Sequence, residues 1–145
     1  MRYGVPASRI VELLPAPELR PLPGTPAFVR GVFSYHGSIV PVIDLSALLT
    51  GRPARFLLST RILLVKFQPL QTAGPVLLGL LAERATETLS CTRGEFQRAG
   101  VQGSAAPYAG DILVRPDGFI QELNLDHLLT AELQEQLFGG APTKV

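Results

Sequence analysis

The sequence predicts a mainly β protein assembled from small barrels, and three observations carry that expectation. Short apolar runs are punctuated by 14 Gly and 13 Pro, residues that break helices and mark turns. Almost no stretch keeps a helical period for three turns, which leaves strands as the elements those runs can form. The third observation is an internal echo. Val42-Ile-Asp-Leu-Ser-Ala-Leu-Leu-Thr50 and Glu122-Leu-Asn-Leu-Asp-His-Leu-Leu-Thr130 both read as a strand followed by a capped helix, as though each closed one half of a duplicated fold. Convergent use of a strand and a cap would produce the same echo.

In chain order, eight segments rich in β-branched or aromatic residues read as strands: Ile10 to Leu14, Ala27 to Tyr35, Ser38 to Ile43, Thr60 to Phe67, Val76 to Leu81, Thr86 to Ser90, Ile112 to Arg115 and Phe119 to Leu123. Arg115-Pro116-Asp117-Gly118 supplies hairpin chemistry between the last two, because Pro presets φ and Gly accepts a positive φ. Helices are expected at Asp44 to Gly51, with Asp44 as the cap and Gly51 as the stop, and from Thr130 to Phe138. Thr92-Arg-Gly-Glu95 has capping-box spacing and predicts one further turn before Phe96. The stretches Gln68 to Pro75 and Arg98 to Pro107 read as surface connections, so residues 1–145 form one domain with two interleaved lobes, about 10–67 and 76–139.

A hydrophobic content of 46% suffices for a core in a chain of 145 residues. Thirteen Lys and Arg against 12 Asp and Glu create no overall field toward nucleic acid or an anionic membrane. A mean hydropathy of +0.26 points to apolar surface kept for partners. The single Cys91 excludes an intramolecular disulfide, no Cys and His spacing matches a zinc site, and a reducing cytoplasm fits. The longest apolar run, Val76 to Ala82, falls far short of the roughly 20 residues of a membrane span, so membrane association is expected only through a partner.

Catalytic chemistry is missing from the pattern. Nucleophilic catalysis needs an activated side chain beside a base, and the two histidines, His36 and His127, sit in no such signature. His127 reads as a partly exposed residue of a short helix, and Cys91 as an inert thiol. Neither a Gly-x-Gly-x-x-Gly nor a phosphate loop occurs. No cofactor and no metal are expected, and the protein reads as a non-enzyme. Arg52, Arg55 and Arg61 form one basic cluster that could meet phosphates, but only Phe56 stands close by to stack on bases. A nucleic-acid-binding small barrel is therefore the alternative reading.

The segment Pro21-Leu-Pro-Gly-Thr-Pro-Ala-Phe-Val-Arg-Gly-Val-Phe-Ser-Tyr-His-Gly-Ser-Ile-Val-Pro-Val-Ile-Asp-Leu45 strongly resembles the signature of CheW-like domains. That family shows a Pro-rich approach, a small-Pro-aromatic step, a Gly-Val strand, a turn, and a strand ending in Pro-Val-Asp-Leu. Thr60 to Phe67, Val76 to Leu89 and Phe119 to Leu129 resemble its later strands and closing helix, so the likeness covers essentially the whole chain. Gly51 to Val65 with Ala82 to Leu89 look closest in wording to the adaptor of Wsp-type surface-sensing arrays. The resemblance implies two SH3-like β-barrel lobes sharing a hydrophobic groove, with short helices and a C-terminal helix. It also implies a cytoplasmic adaptor that couples methyl-accepting chemoreceptor tips to the regulatory domain of a CheA-type histidine kinase.

Carried over by position, the receptor-facing groove falls on Ile10, Glu12, Arg30, Gly31, Val32, His36 and Ile39; the kinase-facing surface, which in the family lies in variable loops, is placed on the other lobe around Val76 to Leu89, at Val76, Leu78, Leu80 and Glu87. The residues themselves leave alternatives open. Ile10, Val32 and Ile39 would serve equally as core. Gly31 inside a strand suits a bulge or a close backbone approach as well as a turn. Glu12 and Arg30 are charges within apolar strands, so at least one is expected to reach solvent or pair at a rim. Two departures from the family stand out. His36 occupies the turn where the family carries Arg, replacing a permanent cation with an imidazole. The family's first strand has no counterpart before Tyr3-Gly4, which predicts an unpaired sheet edge near Ile10 to Leu14.

Overall fold

The computed structural model describes residues 2–84, 93–98 and 107–139. The expected strand Thr86 to Ser90, together with Glu87 and Cys91, lies outside the described residues. Two sheets organise the rest. A five-stranded sheet has the order β2-β5-β6-β4-β3, from β2 (Ile10–Pro15), β3 (Val29–Tyr35), β4 (Ser38–Asp44), β5 (Arg61–Phe67) and β6 (Val76–Ala82). A four-stranded sheet has the order β1-β9-β8-β7, from β1 (Arg2–Gly4), β7 (Phe96–Gln97), β8 (Ala109–Arg115) and β9 (Gly118–Leu123). Most expected strands are present within two residues of their predicted ends. Tyr3 and Gly4 belong to β1, which runs parallel to β9.

β6 pairs antiparallel with β5 and parallel with β4 in the middle of the first sheet. Its run Leu78 to Leu81 is fully buried, as an inner strand covered on both faces must be. The C-terminal helix α2 (Ala131–Phe138) likewise joins the first lobe. Phe138 stacks on Phe67 at 5.8 Å, and the Gln134 side chain accepts from the Leu70 N–H at 2.9 Å.

Alternation along the strands sorts the apolar residues into two cores. Val42, Ile62 and Leu81 point to the concave side with Leu14 and Phe33. Gly79 leaves room there, since a Cβ would stand 3.1 Å from both Ile62 and Val42. The opposite face carries Ile43, Leu63, Val65, Phe67, Leu78 and Leu80, covered by Leu123, Leu125, Leu128, Leu129 and Leu133 from the chain's last third. The inner strands β5 and β6 are thus buried on both sides, which explains their unbroken apolar runs.

The two halves of the internal echo match in position but not in form. Asp44 caps α1 (Leu45–Thr50) by accepting from the Ala47 N–H at 3.0 Å, and Gly51 ends it in the left-handed region. In the second half, Leu125–His127 makes only a single 3-10 turn without a side-chain cap. Helix α2 then starts at its own cap, Thr130.

Candidate functional site

β3 and β4 form a two-residue hairpin whose turn residues, His36 at φ 48° and Gly37 at φ 84°, are both left-handed. Such a turn matches the natural twist of a hairpin, and His tolerates this region better than most non-glycine residues. The His36 ring lies edge-on to Tyr35 at 4.3 Å, and Tyr35 lies edge-on to Phe33 at 6.5 Å. Tyr35 donates its hydroxyl to Glu12 at 2.7 Å. Glu12 continues the inward row of β2 beyond Leu14, opposite Leu64, so its carboxylate emerges at the barrel mouth where the hairpin ends. The hydroxyl is held above the usual tyrosine range by that hydrogen bond first, then by desolvation and by the carboxylate's charge.

This contact has an architectural effect. β2 and β3 are the two end strands of the five-stranded sheet, and Glu12 with Tyr35 brings them together. Arg20 adds a two-way backbone bridge to Val32, 2.9 and 2.8 Å long. The edge expected near Ile10 to Leu14 is therefore an end of the sheet order, drawn toward the opposite end by side chains and one bridge.

The predicted receptor-facing residues divide into groups. Glu12 and His36 meet through Tyr35, a residue whose part the sequence reading missed although it lies inside the signature segment. Ile39 sits on the outward side of the same hairpin, 68% exposed, opposite Ser34. Val32 is half-buried on that outward side, opposite Pro41. Ile10 is half-buried against the main core. Gly31 is buried beside the bulge between Val29 and Gly31 and pairs with Val42, and a Cβ there would collide with the Arg20 carbonyl, so the close-approach reading of this glycine describes it.

Arg30 lies at the far end of β3 and faces inward. Its guanidinium donates to the fully buried Asp44 at 2.6 Å and stands 5.0 Å over the Phe56 ring. Asp44 also accepts from the Ala54 N–H at 2.8 Å. A buried carboxylate needs such partners to stay charged, so Arg30 serves the barrel's own closure.

Of the residues assigned to the kinase, Leu78 and Leu80 are completely buried in the main core and offer no surface. Periodicity could not separate them from surface residues, because a strand covered on both faces loses the alternation that would mark an exposed side. Val76 is half-buried against that core, and Glu87 lies outside the described residues.

The same barrel end holds a feature the sequence reading passed over. Between α1 and β5, Phe56 and Leu57 are about half exposed and Leu58 is 98% exposed. Three consecutive apolar residues between a helix stop and a strand are the signal that could have found it. The loop is held by Thr60, which is fully buried, accepts from the Leu57 N–H at 2.9 Å and donates to the Arg55 carbonyl at 2.5 Å. Ser59 donates to the Glu83 carbonyl at 2.9 Å, and Arg61 reaches the Leu58 carbonyl. Glu83 accepts from the Arg55 N–H at 2.8 Å and from its guanidinium at 3.4 Å. Those contacts, the backbone bond first, hold its carboxyl below the usual glutamate range.

No group of side chains fit to hold a metal ion occurs among the described residues, and no helix among them is long and apolar enough to cross a membrane. The assembled features are an aromatic and carboxylate mouth at one end of a barrel and an exposed apolar tip at the other.

Comparison with known proteins agrees on one family. The chain is 42% identical over 62 residues to protein FrzA of Myxococcus xanthus, covering 43% of this chain and 39% of that protein. It is 35% identical over 43 residues to the chemotaxis protein CheW of Treponema pallidum, covering 30% and 25% respectively. It thus matches well under two thirds of the length of these curated relatives. The crystal structure of the scaffolding protein TtCheW from Thermoanaerobacter tengcongensis superposes with a TM-score of 0.74 at 21% identity, over 88% of this chain and 80% of that one. That match establishes the shared fold, two SH3-like lobes in a mainly β chain. The model of the CheW-like domain matches residues 1–133, and the chain belongs to that family.

Proposed function

We propose that this chain is a non-catalytic adaptor of a chemosensory array, working in the cytoplasm and joining the tips of methyl-accepting chemoreceptors to the regulatory domain of a CheA-type histidine kinase. The observation that carries this reading is the CheW-like match across residues 1–133. The geometry supports it, since an adaptor needs two separate surfaces, and this barrel has a distinct one at each end. The mouth formed by Glu12, Tyr35 and His36, with Ile39 beside it, is the receptor side. An exposed aliphatic residue next to hydrogen-bonding groups can anchor a helical hairpin's apolar stripe while the polar groups fix its register. The nucleic-acid alternative is not favoured, because neither the family nor the arrangement of aromatics supports it.

Calorimetry with the receptor hairpin fragment and the kinase regulatory domain from the same source tests the reading. Both should bind the full chain, and Ile39→Asp should weaken receptor binding by about 1–3 kcal/mol while leaving the kinase affinity unchanged. Absence of binding to both partners at high micromolar concentration, with every protein folded, would remove the adaptor role.

A further inference from the structure

We propose that the loop tip of Phe56, Leu57 and Leu58 is the anchor with which this chain docks a partner protein that presents an apolar recess rimmed by carboxylates. The proposal takes the partner's identity, the kinase regulatory domain, from the adaptor reading. The site itself rests on the loop.

Three features single out the tip. Its apolar side chains project from the surface, with Leu58 98% exposed. Two concavities among the described residues, one lined by Arg2, Asp117 and Phe119 and one by Arg9, Asp111 and Asp126, lie on other parts of the molecule, so the tip is a knob that needs a recess on its partner. The knob's backbone is also anchored by side-chain hydrogen bonds within the chain itself. Thr60, Ser59 and Arg61 tie its backbone through bonds to Leu57, Arg55, Glu83 and Leu58, so little ordering is left for docking to impose.

Charge supplies the third feature. Arg30, Arg52, Arg55, Arg61 and Arg84 gather around this end of the barrel, and the carboxylates bonded to them are Asp44, which binds Arg30, and Glu83, which binds Arg55. Among the described residues, Arg52, Arg61 and Arg84 are thus in surplus at this end of a chain whose overall charge is only +1. A partner surface with carboxylates around an apolar centre answers that pattern. Arg with Phe, and without Lys, is also the composition of protein interface anchors, since the planar guanidinium pairs with carboxylates two bonds at a time. The tip lies across the sheet from the Tyr35 and His36 mouth, because β4 runs from Ser38 beside that hairpin to Asp44 beside Arg30. Receptor and kinase could therefore be held at once.

The test compares the full chain with Leu58→Asp and Arg52→Glu in titrations of the kinase regulatory domain and, separately, of the receptor fragment. Both changes are at exposed positions and leave the Thr60 frame intact, with folding checked by circular dichroism. Kinase affinity should fall at least tenfold in Leu58→Asp and severalfold in Arg52→Glu, receptor affinity should stay the same, and wild-type kinase binding should weaken with added salt. Unchanged kinase binding by Leu58→Asp, with the wild type binding normally, overturns the assignment and leaves the adaptor reading standing. No kinase binding by the wild type overturns both. Sedimentation with phosphatidylglycerol vesicles that is lost in Leu58→Asp, together with unchanged kinase affinity, would give the tip to a lipid surface instead.

Discussion

The two sheets treat their edges differently. In the five-stranded sheet, the end strands β2 and β3 are drawn together by Glu12 and Tyr35, and the Arg20 to Val32 bridge covers part of the β3 edge. In the four-stranded sheet, the end strands β1 and β7 share no pairing among the described residues. The faces follow suit. Ile62, Leu64 and Leu81 line a closed interior with no exposure. In the smaller sheet Leu113 and Ile120 are buried on one side, whereas Val114, Phe119 and Tyr3 on the other are 41 to 52% exposed. A small sheet forms an interior only when something joins its two ends, and here one side-chain hydrogen bond and one backbone bridge do so.

The largest expected effect comes from making the same cavity in both sheets. Leu64→Ala removes atoms from an interior closed all round and should cost about 3–5 kcal/mol, whereas Leu113→Ala in the half-open sheet should cost about 2–3 kcal/mol. Urea unfolding of both variants measures the gap, and equal losses would mean that the smaller sheet is as enclosed as the larger. Glycine replacements sharpen the contrast. Gly31→Ala combines a φ of 136° with a collision against the Arg20 carbonyl, so it should open the bridge and cost about 2–4 kcal/mol. Gly118→Ala has a similar φ of 133° and nothing within 4 Å of the added carbon. It should cost about 1–2 kcal/mol from backbone strain alone, and thermal unfolding would expose any reversal of that order.

The edge contact itself should show a pH signature. Tyr35 is held above its ordinary value in the folded chain, so its stabilising share is complete below about pH 10 and declines as pH rises through the raised value. Tyr35→Phe should flatten that alkaline decline, as read from denaturant midpoints between pH 9 and 11. The smallest effect belongs to Glu83, whose lowered value makes its share present above the ordinary glutamate range and lost as pH falls through the lowered one. Glu83→Gln should remove only that shallow acid limb, and an unchanged limb would place its source elsewhere.

Much of this architecture could be read from the residues, because strands, turns and caps are local decisions. Asp44 and Thr130 announce their helices, and Gly31 announces a crowded backbone. Contacts between distant segments are not local decisions. The hydroxyl of Tyr35 meets a carboxylate 23 positions earlier in the chain, and Arg30 meets one 14 positions later. Nothing in their neighbourhoods marks those choices. The place of β6 in the middle of the large sheet is hidden for a related reason: a uniformly apolar strand states that it is covered on both faces but not by which elements. The burial of Leu78 and Leu80, expected at a kinase-facing surface, is hidden on the same point.

The cover on the outer face of the large sheet comes from the end of the chain, and this orders events during synthesis. Leu63, Val65, Phe67, Leu78 and Leu80 leave the ribosome well before Leu128, Leu129, Leu133 and Phe138, which shield them. With roughly fifty residues still to be added after Leu80, a translation rate of about 5–20 residues per second leaves that apolar face bare for about 3–10 s. During that interval the nascent barrel presents the kind of surface that chaperones hold and neighbouring chains aggregate through. Messages truncated just before α2 should therefore yield insoluble protein even though every strand of the large sheet has been made.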